Sequence, residues 1–150
     1  MSSADDFVVD VHKLVENTSL LGIYVFQLSA VRQLDAPQTD DFEIDPHYSL
    51  TADFRDDRAG FRVRLVTEIE TPIGRIECGV YAEYEHAGVN LGPESSEAFN
   101  EYVNGVALMH LIPYVRQSIA DVTLRVFNSP LLMPILQRGQ MVFNLKIDAE

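Results

Sequence analysis

The stretch VALMHLIPYVRQSIADVTLRVF, residues 106–127, decides how this chain is read. Leu108, Leu111, Val115, Ile119, Val122 and Val126 recur at steps of three and four, the stripe of an amphipathic helix. Val106, Met109, Ile112 and Tyr114 widen that stripe beyond what one sheet needs to cover. Pro113 sits in the middle. It removes a backbone donor and presses on the carbonyl of Met109, at a cost of about 3 kcal/mol in a helix interior. The spacing therefore predicts one long kinked helix with more apolar surface than a single contact uses. Either the helix is well covered within its own core, or it is sandwiched between its own sheet and another subunit.

Upstream of the helix the periodicity changes from about 3.6 to 2. Residues 21–34 are rich in β-branched and aromatic side chains and read as a long strand. Residues 48–55, 61–71 and 75–85 alternate apolar and polar, and read as three more strands. DDRAG and TPIG supply the turns between them, and the acidic, proline-containing DAPQTDDFEIDPH reads as a crossover loop. Val8, Val11, Leu14 and Val15 fit a helical stripe, which predicts a short N-terminal helix within 5–17. Ser95 or Ser96 is placed to cap the long helix, with Glu97 in its first turn. Strands first and helices last is the order of an α+β fold, and 150 residues suit a single domain spanning 1–150.

The composition narrows the function. Eleven basic against 23 acidic residues give a formal charge of −12. Phosphate binding needs clustered Lys and Arg, so this balance argues against nucleic acid and against an anionic membrane surface. One cysteine, Cys78, allows no intrachain disulfide and suits a reducing, cytoplasmic setting. The N-terminus begins acidic and lacks the basic region of a secretory signal, and no apolar run is long enough to span a membrane.

Three motifs in this frame, IPYVRQSI at 112–119, SPLLMPIL at 129–136 and GVY at 79–81, resemble those of the SecB protein-export chaperones. IPYVRQSI, residues 112–119, is similar to that family's Phe-Pro-Tyr-Ala-Arg-Glu helix motif at Pro113, Tyr114 and Arg116. SPLLMPIL, residues 129–136, resembles its proline-spaced Leu-x-Pro-Val segment at Leu132, Pro134 and Ile135, and GVY at 79–81 resembles the Gly-Ile-Phe of its last strand. Leu136-Gln137 departs from the family's Asn-Phe, the TPIG hairpin is shorter, and MVFNLKIDAE is not of the usual form. The extra N-terminal segment and this C-terminal stretch resemble divergent SecB-like proteins, some of which serve toxin–antitoxin systems.

The resemblance implies a four-stranded antiparallel sheet, followed by the long helix and a short C-terminal helix or loop. It also implies a homotetramer or dimer in which Leu108, Leu111, Ile112, Tyr114, Val115 and Ile119 meet another subunit. The activity it implies is that of an ATP-independent holdase, which binds unfolded preproteins and passes them to the motor SecA. The matching client groove would be lined by Leu131, Leu132, Met133, Ile135, Leu136, Met141 and Phe143, with Phe42 and Ile44 of the crossover loop as further candidates. Glu68, Glu70, Glu77 and Glu83 on the third and fourth strands would supply the acidic translocase contact. A core-covering loop accounts equally well for the apolar run, and a solvated strand face accounts better for the glutamates.

Catalytic motifs are missing: there is no P-loop, HExxH, CxxC or GxSxG, and GVNLG lacks dinucleotide spacing. The chain is read as a non-enzyme without cofactor or metal. Asp41, Glu43, Asp45 and His47 would share a face if extended, but acidic proline-containing loops are usually only solvated. Cys78 lies among apolar strand residues and reads as a buried structural thiol. Two other classes stay open: a binding module dedicated to one partner such as an antitoxin, and a small-ligand-binding α+β domain.

Overall fold

The computed structural model describes residues 7–37, 42–133 and 141–145. Helix α1 covers Val11–Asn17, and its start is fixed by Asp10, whose carboxylate accepts the His12 N–H at 3.0 Å. The helix begins later than the apolar stripe suggested. Phe7 and Val8 are instead drawn into extended pairing beside Asn90, with the Val8 N–H donating to the Asn90 carbonyl at 2.8 Å.

Four strands follow: β1 Thr18–Arg32, β2 His47–Phe54, β3 Gly60–Thr71 and β4 Gly74–His86. They form one antiparallel sheet in the order β1-β4-β3-β2, so the first strand is an edge. The β3–β4 hairpin closes on Thr71, whose hydroxyl accepts the N–H groups of Ile73 and Gly74 and donates to the Gly74 carbonyl. Gly74 has no room for a Cβ, because the Val31 carbonyl and the Phe127 ring fill that space. The β2–β3 turn uses Arg58 at φ +60°, stabilised by Asp57, which accepts the Ala59 N–H at 2.9 Å.

Alternation assigns the sheet two faces. Val63, Leu65, Ile69, Ile76, Cys78, Val80, Ala82 and Tyr84 are buried on one, and Arg62, Arg64, Glu68, Glu70, Arg75 and Glu83 line the other. The buried face is covered by a helical run with three parts. A 3-10 turn at Pro93–Ser95 leads into α2, Ser96–Tyr102; a π-helical turn occupies Val103–Ala107; and α3 spans Leu108–Val126. The two serines do not cap as expected. The Ser95 hydroxyl accepts the Gly92 N–H at 3.3 Å and Ser96 donates to the Pro93 carbonyl at 2.9 Å, so both tighten the 3-10 turn.

Helical structure continues through Pro113, which lies on the exposed side of α3. The departure from α geometry is the π turn at Val103–Ala107, upstream of α3 and about two to three turns before the proline. Leu108, Leu111, Ile112, Val115 and Ile119 are all buried within the chain, against its own sheet. These five were assigned by resemblance to an inter-subunit contact, and their surface is already covered intramolecularly. Tyr114, assigned with them, is exposed. The helix's width is explained by packing on both β1 and β4, with Met109, Val122 and Val126 half-buried at its flanks.

Candidate functional site

At the end of α3, Asn128 takes a left-handed conformation at φ +61°, which stops the helix and reverses the chain. The returning segment is anchored by a buried hydroxyl. Thr123 Oγ1 donates to the Ile119 carbonyl at 2.6 Å and accepts the Leu131 N–H at 2.7 Å. Leu131 and Met133 are thereby turned into the core, while Leu132 between them points out with 73% of its surface exposed.

The crossover loop reaches the same place from the other side. Phe42, Ile44, Ile73, Phe127, Ser129, Pro130, Leu131 and Leu132 line one groove of about 260 Å³. Four residues read from the sequence as client-binding are thus brought together: Phe42, Ile44, Leu131 and Leu132. Met133 was read with them but is only 3% exposed and serves the core. Ile135 and Leu136 lie outside the described residues. Ile73 and Phe127 were missed, because a hairpin residue and a helix-terminal phenylalanine read as ordinary core.

Met141 and Phe143 do not line this groove. They lie on an extended segment at the other end of the helical run, with Leu145, all three half-buried against the core, while Val142 and Asn144 between them are exposed. Two asparagines hold this segment. Asn104 Nδ2 donates to the Phe143 carbonyl at 2.8 Å and Asn104 Oδ1 accepts the Phe143 N–H at 2.7 Å. Asn100 makes the same pair of bonds to Leu145.

The acidic face is differently arranged from the expected patch. Arg62 pairs with Glu83 at 2.6 Å and lies over the Tyr81 ring, while Arg75 reaches Glu77 at 2.9 Å and Glu68 at 3.8 Å. Gln27 donates to Glu77 at 2.7 Å, and Glu70 is exposed and stands opposite Arg75 in register. The four glutamates are therefore interleaved with arginines in a mixed, largely exposed lattice, in which each pair is worth ~0–1 kcal/mol.

Burial pushes the Cys78 thiol up to about 11, against a weaker opposing bond from Ser118, so it carries no thiolate at neutral pH. Tyr84 is buried and hydrogen-bonded to His110 Nδ1 at 2.9 Å, and burial pushes the Tyr102 hydroxyl up to about 12. Asp41 lies outside the described residues, and among the described residues no group of three His, Cys, Asp or Glu is placed to hold a metal. A depression of about 440 Å³ near the β2–β3 turn is lined by Leu21, Phe54, Phe61 and Tyr84 together with Asp53, Arg55, Asp56, Arg62 and Glu83; Arg62 pairs with Glu83 there, and Arg55 reaches out of it to Glu85. Among the described residues no helix is long and apolar enough to cross a membrane.

No protein-family model matches the chain, and no curated protein sequence is significantly similar to it. Solved structures are more informative. The chain is similar to the Mycobacterium tuberculosis Rv1957 SecB-like chaperone, solved in complex with a ChAD peptide from the Rv1956 HigA1 antitoxin. The TM-score is 0.69 and the identity 19%, covering 84% of this chain and 92% of that one.

The fold is SecB-like.

A protein of unknown function from Streptococcus agalactiae also aligns, at TM-score 0.48 and 12% identity over 79% of this chain and 97% of that one. The four-stranded antiparallel sheet, the long helix and the short N-terminal helix described above agree with the α+β architecture expected from the sequence. This architecture also gives the groove its setting, at the hairpin end of the sheet where the crossover loop and the segment after α3 meet.

Proposed function

We propose that this protein is an ATP-independent chaperone that holds extended apolar segments of unfolded or labile clients. The observation that carries the reading is the groove of Phe42, Ile44, Leu131 and Leu132 on a SecB-like fold. Burying apolar client surface there contributes about 25 cal/mol per Å² and requires no nucleotide or catalysis. The peptide-bound state of the M. tuberculosis SecB-like chaperone supports a peptide ligand. That same observation favours a second form of the reading, in which the client is one dedicated partner such as an antitoxin.

Self-association belongs to the proposal. β1 is a 15-residue edge strand with Leu21, Tyr24, Val25, Phe26, Leu28 and Val31 exposed. A long apolar edge is an association surface unless something covers it. We assign the subunit contact to this strand, in a dimer or tetramer.

The test is aggregation of an unfolded reporter, followed by light scattering with and without the full-length protein in nucleotide-free buffer. Suppression at stoichiometric ratio is expected. A panel of unrelated unfolded chains separates a general holdase, which binds most of them, from a dedicated module, which binds one. Failure to bind any unfolded chain at excess would remove the chaperone reading. The export form adds hand-over to SecA, for which charge reversal at Glu68 and Glu70 is the probe. Reduced, salt-sensitive SecA binding is expected, and SecA binding that is undetectable in the wild type assigns hand-over to another partner.

A further inference from the structure

The two asparagines at the start of the helical run do more than fasten a tail. Each carboxamide has two N–H donors and an acceptor oxygen, and all are used. Asn100 Nδ2 bonds to the Ser96 carbonyl at 2.7 Å, and Asn104 Nδ2 bonds to the Asn100 carbonyl at 2.8 Å. These bonds within the helix orient both amides outward. The second N–H and the oxygen of each then engage the C=O and N–H of one residue in the extended segment, Leu145 or Phe143. That is the reciprocal pair which a residue of a neighbouring antiparallel strand makes.

The spacing fits an extended chain. Four helical residues advance about 6 Å, and two strand residues advance about 6.6 Å. The ladder therefore reads backbone at every second residue, in a chain running antiparallel to the helix, and is blind to side-chain identity. Selectivity comes from the alternation, with Met141, Phe143 and Leu145 turned to the core and Val142 and Asn144 to solvent. Main-chain bonds with pockets for alternate side chains are the working parts of strand-addition peptide recognition. The π-helical turn Val103–Ala107, which contains Asn104, is a kind of irregularity found often at functional sites.

We propose that the Asn100–Asn104 ladder is a second peptide site, occupied at rest by the chain's own residues 141–145. An extended client segment with apolar residues at alternate positions displaces them. The proposal rests on the peptide-holding reading above. The tethered tail competes at high effective concentration and so sets a threshold that clients must exceed.

Two full-length variants distinguish this from simple tail anchoring. Phe143→Pro with Leu145→Pro removes both tail N–H donors and keeps the tail apolar. Asn100→Ala with Asn104→Ala removes the ladder itself. The probe is a labelled peptide of the tail's own sequence, QMVFNLK, read by fluorescence anisotropy, with circular dichroism as the control for folding. The proline variant should bind the peptide at least about tenfold more tightly than wild type, because the site is no longer self-occupied. The alanine variant should bind it more weakly than the proline variant by a similar factor. If the alanine variant is unfolded, Asn104→Asp, which keeps the shape and loses the donor, reads the same point.

Equal affinity in all three proteins overturns the proposal, as does an alanine variant that binds as tightly as the proline variant. An unfolded reporter should displace the peptide from the proline variant. A reporter that the protein holds but that leaves the peptide in place also overturns the shared site. The chaperone reading fails by a different result, the absence of reporter binding to any variant while the tail peptide still binds.

Discussion

Leu132 and Met133 are neighbours in sequence with opposite fates, and serine at each separates binding from stability. Leu132 has 73% of its surface exposed at the groove mouth, whereas Met133 has 3%. Fully burying a large apolar side chain is worth about 1.5–3 kcal/mol, so a client covering most of the exposed part of Leu132 gains about 1–2 kcal/mol. Leu132→Ser should therefore weaken client binding about 5- to 30-fold. Its effect on stability should stay within about 0.5 kcal/mol, as for other exposed positions. Met133→Ser should instead cost about 2–5 kcal/mol of folding stability through a cavity and a buried hydroxyl. The assays are anisotropy of a labelled unfolded peptide for affinity and urea unfolding for stability. A Leu132→Ser protein with wild-type affinity would show that the groove is not the client site. One destabilised as much as Met133→Ser would show that Leu132 is core.

Thr123→Val should cost about 1–3 kcal/mol in urea unfolding, because the buried Leu131 N–H loses its acceptor, while Thr123→Ser should retain most of the wild-type stability. His86 gives the protein a pH dependence. It is buried, its Nδ1 bonds to the Val89 carbonyl, and its Nε2 has no partner among the described residues. Burial holds its pKa below the ordinary value, so below about pH 6.5 the unfolded chain takes up the proton before the folded one does. Stability present above that pH should fall as the pH drops, and His86→Gln should flatten the urea midpoint between pH 7 and pH 5, if the variant folds at pH 7. Lysine at Leu21 and Val25 on the edge strand should reduce the mass seen by light scattering without loss of the circular dichroism spectrum. An unchanged mass would place the subunit contact elsewhere.

The sheet was legible in the sequence because a half-buried strand imposes a period of two, and β2, β3 and β4 alternate cleanly. Their boundaries agree with the sequence reading to within a residue or so. The position of β1 at the edge was not legible from periodicity, since strand order leaves no trace in the spacing of one strand. The apolar stripe of α3 identified a helix but not its cover. Leu111 or Val115 looks the same whether sheet or subunit lies on it, and here the chain's own sheet does. The π turn was invisible because VNGVA fits helical stepping either way. Nothing in the sequence singled out Asn100 or Asn104, and only the fold brings Phe143 and Leu145 to them. The groove was half legible: the apolar runs were evident, but Thr123 decides which of Leu131, Leu132 and Met133 turns outward.

The way the groove is walled has a temporal consequence. One wall comes from residues just before β2, another from the tip of the β3–β4 hairpin, and the last from the chain after α3. During synthesis the first two emerge well before the third. The nascent chain, which displays its own strands of apolar residues, has no finished groove in which to trap them. The surface that would hold foreign unfolded chains comes into being only after this one has ceased to be unfolded.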